Sequence, residues 1–217
     1  YAGSDTQEIT DQLESSIDEA GPVQQISLTS ARDEGLIVEF EPDPPYIKRI
    51  NELIDVPAIR NAGLQVSVDA MFGAGAGYLP RLISGGSTTV DEINGYRNPA
   101  FPGMEQPEPI AHNLTTLIEN IKAGDSSVGL AMDGDADRVG VVDENGRFIT
   151  TLEVFSLLAL YLLENKGEKG ALVKGVTSSM MLNRLGGWYG VDVHEMKVGF
   201  KYIGPRMSEV DALMGGE

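Results

Sequence analysis

The spacing of apolar residues along the chain predicts helices that alternate with strands. Ile9, Leu13 and Ile17 recur every four residues, which predicts a helix over 6–20. The same spacing predicts further helices at 45–59, 78–83, 113–123, 151–164, 178–185 and 202–213. Alternating or continuous apolar runs predict strands at 63–70, 127–132, 139–143, 147–150, 171–176 and 191–196. Between them, 91–109 is rich in proline and glycine and is predicted to form a loop.

This order of elements predicts an α/β fold in which helices cover both faces of each sheet. The pattern restarts after Thr150, which opens a capping-box sequence. We therefore predict two similar α/β/α units with mixed sheets, a first over 43–149 and a second over 150–217. The proline-rich residues 41–45 mark the preceding boundary, and 1–42 are assigned to the tail of an earlier domain and a linker.

Net charge, cysteine content and apolar run length exclude or disfavour several classes of partner and site. Its 217 residues include 33 Asp and Glu against 16 Lys and Arg, a net charge of −17, which disfavours binding to nucleic acid. The absence of cysteine excludes disulfides and cysteine-based zinc sites and fits a reducing compartment, so a cytoplasmic location is expected. The longest apolar run, 154–163, has half the length that a bilayer requires, so no membrane contact is expected.

A loop with three aspartates carries the strongest chemical signal. Asp133, Asp135 and Asp137 directly follow a predicted buried strand and are separated by Gly134 and Ala136. Three carboxylates this close repel one another unless a cation holds them, and their hard oxygens suit Mg²⁺ or Ca²⁺. The small residues between the aspartates let the backbone curl so that all three carboxylates face one centre.

Two other interpretations of this loop are open. A solvated acidic loop would explain three aspartates in an acidic chain. An EF-hand calcium loop would also place aspartates at its positions 1, 3 and 5 and a glutamate, here Glu144, at position 12. The calcium loop is disfavoured, because Arg138 stands where it needs glycine and strands flank it in place of helices. Arg138 instead offers a guanidinium that can bind phosphate through two parallel hydrogen bonds.

The segment 129–138 resembles the metal-binding loop of the α-D-phosphohexomutases, the phosphoglucomutase/phosphomannomutase family. The glycine-rich turn at 73–77 lacks the spacing of a dinucleotide-binding loop, and we interpret it as a tight turn between strand and helix. The resemblance covers nearly the whole chain, and the aspartate loop is its specific motif. Further segments similar to the family occur in the family's order, at 69–75, 101–103, 107–109, 197–203 and 215–217.

The resemblance implies the reaction of this family. A phosphoryl group moves between O1 and O6 of a hexose through a phosphoserine and a bisphosphorylated sugar. Mg²⁺ is the implied cofactor, with Asp133, Asp135 and Asp137 as its ligands, and a hexose phosphate is the implied substrate. The identity of the sugar stays open among glucose, mannose, glucosamine and a pentose.

The resemblance also implies roles for individual residues near the sugar. Arg138 and Lys174 are predicted as catalytic residues, and Lys197, Gly216 and Glu217 as substrate-binding residues. For Lys174 the alternative is a solvent-exposed lysine at the end of a strand. Because Phe200 stands where some members have histidine, no histidine acid–base role is expected there.

Parts of the four domains of this family are missing from the sequence. No serine loop of the Thr-Ala-Ser-His-Asn-Pro type occurs, and the sequence stops at Glu217, inside a loop that resembles the sugar-binding loop. It begins at Tyr1 without a methionine. We therefore expect a fragment that contains the end of domain one, domain two and most of domain three. We expect it to be inactive alone and to need the missing domains of the same chain as its partner.

Two further classes of function are weighed against the mutase. A non-catalytic α/β module that binds a divalent metal would also explain the aspartates. A phosphotransferase or phosphatase with an aspartate nucleophile is disfavoured. Such an enzyme requires two aspartates two positions apart, with Thr or Val directly after the second. Asp135 and Asp137 have this spacing, but Arg138 follows them.

Overall fold

The computed structural model describes residues 5–21 and 25–217. A 3-10 turn covers Ala111–Leu114, and a π-helical turn covers Tyr161–Asn165. The helices are α1 (Asp5–Ala20), α2 (Leu28–Asp33), α3 (Asp43–Leu53), α4 (Val56–Arg60), α5 (Tyr78–Ile83), α6 (Thr115–Ala123), α7 (Thr151–Leu160), α8 (Met181–Tyr189) and α9 (Phe200–Glu209). The strands are β1 (Gln65–Asp69), β2 (Thr89–Ile93), β3 (Val128–Met132), β4 (Val139–Asp143), β5 (Phe148–Ile149), β6 (Leu172–Gly175), β7 (Val193–Met196) and β8 (Met214–Gly216).

The first sheet has the strand order β2-β1-β3-β4-β5. β1 lies parallel between β2 and β3, so that Val66 pairs with Val90 on one side and Val128 on the other. β4 and β5 add antiparallel strands, joined by a hairpin turn in which Gly146 has a left-handed φ of 76°. Because β1, β2 and β3 run parallel, the aspartate loop after β3 lies at the edge where all three strands end.

The second sheet joins β7, β6 and β8 in that order. All three strands run parallel, and Lys174 in the central strand pairs with Glu195 of β7 and with Gly216 of β8. Two helix-flanked sheets confirm the predicted α/β class. The mixed pairing of the first sheet does not extend to the described strands of the second, which are all parallel.

Helices cover both faces of the first sheet and exclude water from it. On one face Leu82 of α5 packs with Val68 of β1, and on the other Leu117 of α6 packs with Ala131 of β3. Each large aliphatic side chain buried in this way stabilises the fold by about 1.5–3 kcal/mol. The second unit buries side chains of α7, of the π-helical turn after it, of α8 and of β6 together: Phe155, Ala159, Leu163, Leu172, Leu182 and Leu185.

The single helix predicted over 45–59 is wrong, because the structure divides it into α3 and α4. Ile54 between them is extended, with φ −119° and ψ 135°. Asp55 then starts α4 as its N-cap, since its carboxylate accepts a hydrogen bond from the amide of Ala58 at 3.0 Å. The apolar pattern continues on both sides of Asp55, so the sequence does not show that one helix ends and another begins there.

The helix predicted over 178–185 begins later and continues further in the structure. α8 starts at Met181 and runs through Gly186 and Gly187 to Tyr189, and Gly190, with a left-handed φ of 66°, is its C-cap. A Cβ on Gly186 would lie 2.4 Å from Cγ2 of Val193 in β7. The first glycine therefore permits close packing of helix on strand, and the helix ends at the later glycine.

The sequence patterns do not predict two of the strands. β2 contains the polar residues Asp91 and Glu92 and overlaps the loop predicted over 91–109, yet it pairs with β1 along its whole length. β8 occupies a glycine-rich segment in which no strand was predicted, and it pairs with β6. Both strands depend on a distant strand, which their own composition does not reveal.

α1 matches the helix predicted over 6–20, and its apolar side faces solvent. Ile9, Leu13 and Ile17 are 40%, 58% and 69% exposed. Within the described part of the chain, no helix has the length and the apolar character needed to cross a membrane.

Candidate metal centre and adjoining cleft

The aspartate loop, residues 133–138, leaves β3 and returns into β4. The amide of Ala136 donates to the carbonyl of Asp133 at 3.1 Å, and the amide of Asp133 donates to the carbonyl of Arg138 at 3.3 Å. Ala136 has a left-handed φ of 65°, a conformation that costs a non-glycine residue about 1–2 kcal/mol. Small side chains at positions 134 and 136 thus permit the tight curl that the sequence indicates.

Two neighbouring segments hold this loop through backbone hydrogen bonds. The amide of Gly134 donates to the carbonyl of Pro107 at 3.1 Å, and the amide of Ala74 donates to the carbonyl of Gly134 at 3.0 Å. A Cβ on Gly73 would lie 2.6 Å from that same carbonyl oxygen of Gly134, so only glycine allows this approach. The turn at 73–77 therefore supports the aspartate loop as well as joining β1 to α5.

The three aspartates offer carboxylate oxygens that lie within 4.8 Å of one another. Asp133 is fully buried, whereas Asp135 and Asp137 are exposed. Oδ1 of Asp133 accepts the amides of Asp137 and Arg138 at 2.9 and 3.0 Å, and Oδ2 accepts Nε of Arg138 at 2.6 Å. Three donors thus fix the buried carboxylate, while the other two carboxylates face solvent.

Burial, hydrogen bonds and charge repulsion shift the pKa values of two carboxyls in the cluster in opposite directions. Burial alone would raise the pKa of Asp133, but hydrogen bonds from Arg138 and Asp137 outweigh it and lower that pKa. A hydrogen bond with the carboxyl of Asp133, together with the charges of Asp135 and Asp133, raises the pKa of Asp137. A cation would relieve this conflict between neighbouring carboxylates.

Arg138 links the aspartate loop to the segment before α6. Nη1 donates to Oε1 of Glu108 at 2.8 Å, and Nε lies 3.6 Å from Oδ1 of Asp137. Glu108 and then Asp133 raise the pKa of Arg138 further above its usual range. The side chain is 56% exposed, and its remaining N–H groups can bind a phosphate.

Lys174, a predicted catalytic residue, is fully buried in the central strand β6. Nζ donates to Oε2 of Glu195 at 2.7 Å, because the register of β6 and β7 places the two residues side by side. The alternative of a solvent-exposed lysine at the end of a strand is therefore wrong. A buried ammonium needs such a partner, since an unpaired charge in the interior costs several kcal/mol.

The predicted substrate-binding residues gather at the carboxyl end of the second sheet. Gly216 lies in β8 beside the central strand, and Oε2 of Glu217 accepts the amide of Gly199 at 2.8 Å. Lys197 is exposed in the turn after β7, with Nζ 5.8 Å from the ring centre of Tyr202. The hydrogen bond between Gly199 and Glu217 thus connects the end of β8 to the turn that follows β7.

A cleft of about 560 Å³ separates the aspartate loop from the end of β8. Asp137 and Arg138 line it from the first unit, Gly216 and Glu217 line it from the second, and Phe155 contributes apolar surface. The structure therefore brings residues from two sequence-distant motifs to one cavity. The predicted site residues outside its lining are Asp133, Asp135, Lys174 and Lys197.

A groove of similar size, about 550 Å³, lies between α7 and α8. Its lining is mainly apolar and includes Leu157 and Trp188, and its charged side chains are Arg147 and Glu153, which form an ion pair at 3.0 Å. This groove contains no cluster of carboxylates among the described residues that line it. Because the two cavities have similar volumes, the residues that line the cleft, and not its size, identify it as the candidate site.

Two glutamates that orient the predicted residues escaped the sequence patterns. Glu108 lies between two prolines and reaches Arg138 from a separate segment, and Glu195 reaches Lys174 from the neighbouring strand. The signal available for Glu195 was its place in the strand predicted over 191–196, although the sequence pattern did not show which strand would lie beside it. Nothing in the spacing of Glu108 indicates that it faces a guanidinium.

Two parts of the chain match sequence models of one family. Residues 44–146 match the model described as phosphoglucomutase/phosphomannomutase, alpha/beta/alpha domain II. Residues 152–217 match the model described as alpha/beta/alpha domain III of the same family. Together the two matches cover most of the chain, and they occur in the order of the numbered domains.

Individual proteins agree with these matches. A phosphoglucomutase/phosphomannomutase from Thermococcus kodakarensis is 36% identical over 173 residues, which are 80% of this chain and 38% of the relative. A probable phosphoglucosamine mutase from Methanopyrus kandleri is 33% identical over 168 residues, which are 77% of this chain and 37% of the relative.

A solved structure agrees as well. The crystal structure of a protein from Thermus thermophilus, described as a phosphomannomutase, has a TM-score of 0.73 at 35% identity. The match covers 80% of this chain and 40% of that chain, so the present chain spans less than half the length of these relatives. These matches confirm the resemblance seen in the sequence, and the chain belongs to the phosphoglucomutase/phosphomannomutase family.

Proposed function

We propose that the chain supplies the metal-binding part, and a portion of the sugar-binding part, of a phosphohexomutase active site. In that reaction a phosphoserine gives its phosphoryl group to a hexose phosphate. The resulting bisphosphate returns its other phosphoryl group to the serine, so that hexose 1-phosphate and hexose 6-phosphate interconvert. The observation that carries the proposal is the cleft in which Asp137 and Arg138 face Gly216 and Glu217.

The donor set of the aspartate loop fits Mg²⁺. Asp133, Asp135 and Asp137 offer hard carboxylate oxygens within 4.8 Å of one another, and the latter two are open to solvent. Bound Mg²⁺ would neutralise charge on a phosphate oxygen during phosphoryl transfer. The two backbone amides that bond Oδ1 of Asp133 hold its carboxylate in place in advance, so that little ordering remains when a cation binds.

The residues around the cleft would bind an anionic sugar. Arg138 presents unused N–H groups in the fork geometry that suits a phosphate. Glu217 engages one carboxylate oxygen with the amide of Gly199, which orients the side chain to accept a hydrogen bond from a sugar hydroxyl. Lys197 and Lys174 lie outside the lining of the cleft, at the same end of the second sheet, and Lys197 is exposed there. In a catalytic role beside the sugar, Lys174 would have to act from its buried pair with Glu195.

We further propose that these 217 residues alone do not turn over sugar phosphates. The family reaction needs a serine loop, and no stretch of the Thr-Ala-Ser-His-Asn-Pro type occurs in the sequence. On this proposal 1–42 are the tail of a first domain, 43–149 the second domain and 150–217 part of the third. Other domains of the same protein would complete the site.

A chimera tests the proposed function. Residues 44–217 replace the matching segment of the Thermococcus kodakarensis relative, which supplies the rest of the site. The assay follows glucose, mannose and glucosamine 1-phosphates with Mg²⁺ and a trace of the corresponding bisphosphate. We expect turnover, and a loss of about 100-fold or more for Asp135→Asn in the chimera. Asp125→Asn removes the same charge from an exposed loop before β3 and should leave turnover unchanged.

The outcomes separate the candidate functions. A folded chimera that binds Mn²⁺ but converts none of the three sugars would contradict the hexose phosphate mutase. If it also failed to convert a pentose 1-phosphate, the result would favour a non-catalytic metal-binding module. Turnover by the 217-residue chain alone would contradict its proposed inactivity. Equal activity of the Asp135→Asn and Asp125→Asn chimeras would show that the aspartate loop is not the metal site of the reaction.

A further inference from the structure

Arg138 bonds the same oxygen of Asp133 that a cation would use. Oδ1 of Asp133 accepts two backbone amides, at 2.9 and 3.0 Å, which occupy both of its lone pairs. Oδ2 is the oxygen left for a metal, and Nε of Arg138 lies 2.6 Å from it. A guanidinium and a divalent cation at one carboxylate oxygen repel each other, so Arg138 competes with the metal unless another group holds it.

Glu108 is a second carboxylate for the same guanidinium. Oε1 accepts Nη1 of Arg138 at 2.8 Å, and the Glu108 side chain is two-thirds buried, with 33% exposed. The backbone around it is fixed, because the carbonyl of Pro107 accepts the amide of Gly134 at 3.1 Å and the carbonyl of Glu108 accepts Nδ2 of Asn113 at 2.8 Å. Glu108 therefore meets Arg138 from a held position outside the aspartate loop.

We propose that Glu108 is a positioning residue that holds Arg138 aside when a cation binds at Asp133. With Glu108 present, Arg138 keeps an ion pair while it gives up Oδ2 of Asp133. Without the charge of Glu108, Arg138 pairs more tightly with Asp133 and excludes the cation. The inference rests on the proposed metal-binding function of the aspartate loop and extends it to a residue of another segment.

The affinity of the 217-residue chain for Mn²⁺, measured by electron paramagnetic resonance of the free ion, tests this role. Glu108→Gln is expected to weaken Mn²⁺ binding about tenfold. Glu105→Gln is the matched control, since it removes the same charge from an exposed position in the same segment. The control should change the affinity by no more than about twofold, because salt screens an exposed charge. Circular dichroism and thermal unfolding verify that both variants remain folded.

A double-mutant cycle tests the route through Arg138. Arg138→Gln alone is expected to strengthen Mn²⁺ binding, because it removes the competing cation. In that background Glu108→Gln should have no larger effect than Glu105→Gln, because no guanidinium remains to be positioned.

Three results would overturn the inference. The first is an equal effect of Glu108→Gln and Glu105→Gln in the unaltered background. The second is a tenfold loss on Glu108→Gln that persists without Arg138. The third is failure of the unaltered chain to bind Mn²⁺, which would also overturn the proposed metal function of the loop, whereas the first two would leave that function intact.

Discussion

At the scale of single residues, Asp133 and Asp135 differ in how much they contribute to the structure of the aspartate loop. Asp133 is buried, and its carboxylate accepts hydrogen bonds from two backbone amides and from Arg138. Asp135 is exposed and accepts none of these bonds. Loss of the Asp133 carboxylate leaves buried hydrogen-bond donors without their acceptor. Loss of the Asp135 carboxylate removes only a proposed metal ligand and a charge that repels its neighbours.

The two aspartates should therefore separate stability from metal binding. Without metal, Asp133→Asn is expected to lower the free energy of unfolding by about 1–3 kcal/mol, since it leaves buried donors poorly paired. Asp135→Asn should change it by less than about 0.5 kcal/mol, as is usual at an exposed position. Urea denaturation in the presence of a chelator measures both. Equal destabilisation would mean that the hydrogen bonds to Asp133 do not stabilise the loop.

Asp69, at the end of β1, has a carboxyl group whose pKa is set mainly by burial. Its Oδ1 accepts the amide of Met71 and Nδ2 of Asn94, each at 2.9 Å, and the side chain is almost fully buried. Burial is the largest influence and raises the pKa of Asp69 in spite of these bonds. The folded protein thus holds this proton more tightly than the unfolded chain does.

The raised pKa of Asp69 gives a pH-dependent prediction. Its contribution to stability is fully present below the unfolded pKa of about 3.9 and is lost as the pH rises through the higher folded pKa. Asp69→Asn keeps the accepting oxygen and removes the charge, so it should raise the free energy of unfolding by about 1 kcal/mol at pH 7. Urea denaturation at pH 7 and pH 3 measures this gain, which should vanish at pH 3. A loss of stability confined to pH 7 would contradict it.

Site chemistry could be predicted where it is local in the sequence. Asp133, Asp135 and Asp137 lie within one short loop, so residue type and spacing alone place their carboxylates together. Glu108 and Glu195 depend on tertiary packing that brings separate segments within hydrogen-bond distance. Spacing along the chain carries no information about such contacts.

At the scale of elements, the two adjacent glycines of α8 differ in whether their positions have room for a side chain. A Cβ on Gly186 would lie 2.4 Å from Cγ2 of Val193 and 2.9 Å from the carbonyl oxygen of Val191. Nothing lies within 4 Å of a Cβ on Gly187. The first glycine is thus required for the approach of α8 to β7, whereas the second occupies an open helical position.

Alanine substitutions at these glycines should change stability in opposite directions. Gly186→Ala is expected to lower the free energy of unfolding by about 1–3 kcal/mol through overpacking. Gly187→Ala should raise it by up to about 1 kcal/mol, because alanine favours a helix and nothing obstructs it. Urea denaturation followed by circular dichroism measures both, and destabilisation of similar size by the two substitutions would contradict the packing argument.

The elements that escaped prediction share one physical cause. Periodic apolar patterns located the buried helices and central strands, because those elements bury one face against a core. β2 and β8 carry polar or glycine-rich sequences and exist through backbone pairing with β1 and β6. Pairing energy of this kind belongs to two distant segments together, so neither segment shows it alone.

At the scale of the whole molecule, the two sheets are joined without a loose linker. Ile149 of β5 is followed directly by Thr150, whose amide donates to Oε2 of Glu153 at 2.8 Å and whose hydroxyl oxygen accepts the amide of Glu153 at 3.2 Å. Nη1 of Arg147 also donates to Glu153, at 3.0 Å. A Cβ on Gly216 would lie 3.3 Å from the ring of Phe155, so α7 packs against the end of β8.

This tight connection predicts that the two units open together, so that metal binding in the first also protects the second. A ligand that binds only the folded state slows global opening by a factor of about 1 + [L]/Kd, or about tenfold at ten times Kd. Hydrogen exchange measured by mass spectrometry should therefore show that Mg²⁺ slows exchange in β3 and in β6 by similar factors. Asp135→Asn should abolish the slowing in both strands. Slowing confined to β3 and β4 would show that the second unit opens independently, because β6 would then unfold while the aspartate loop stayed formed.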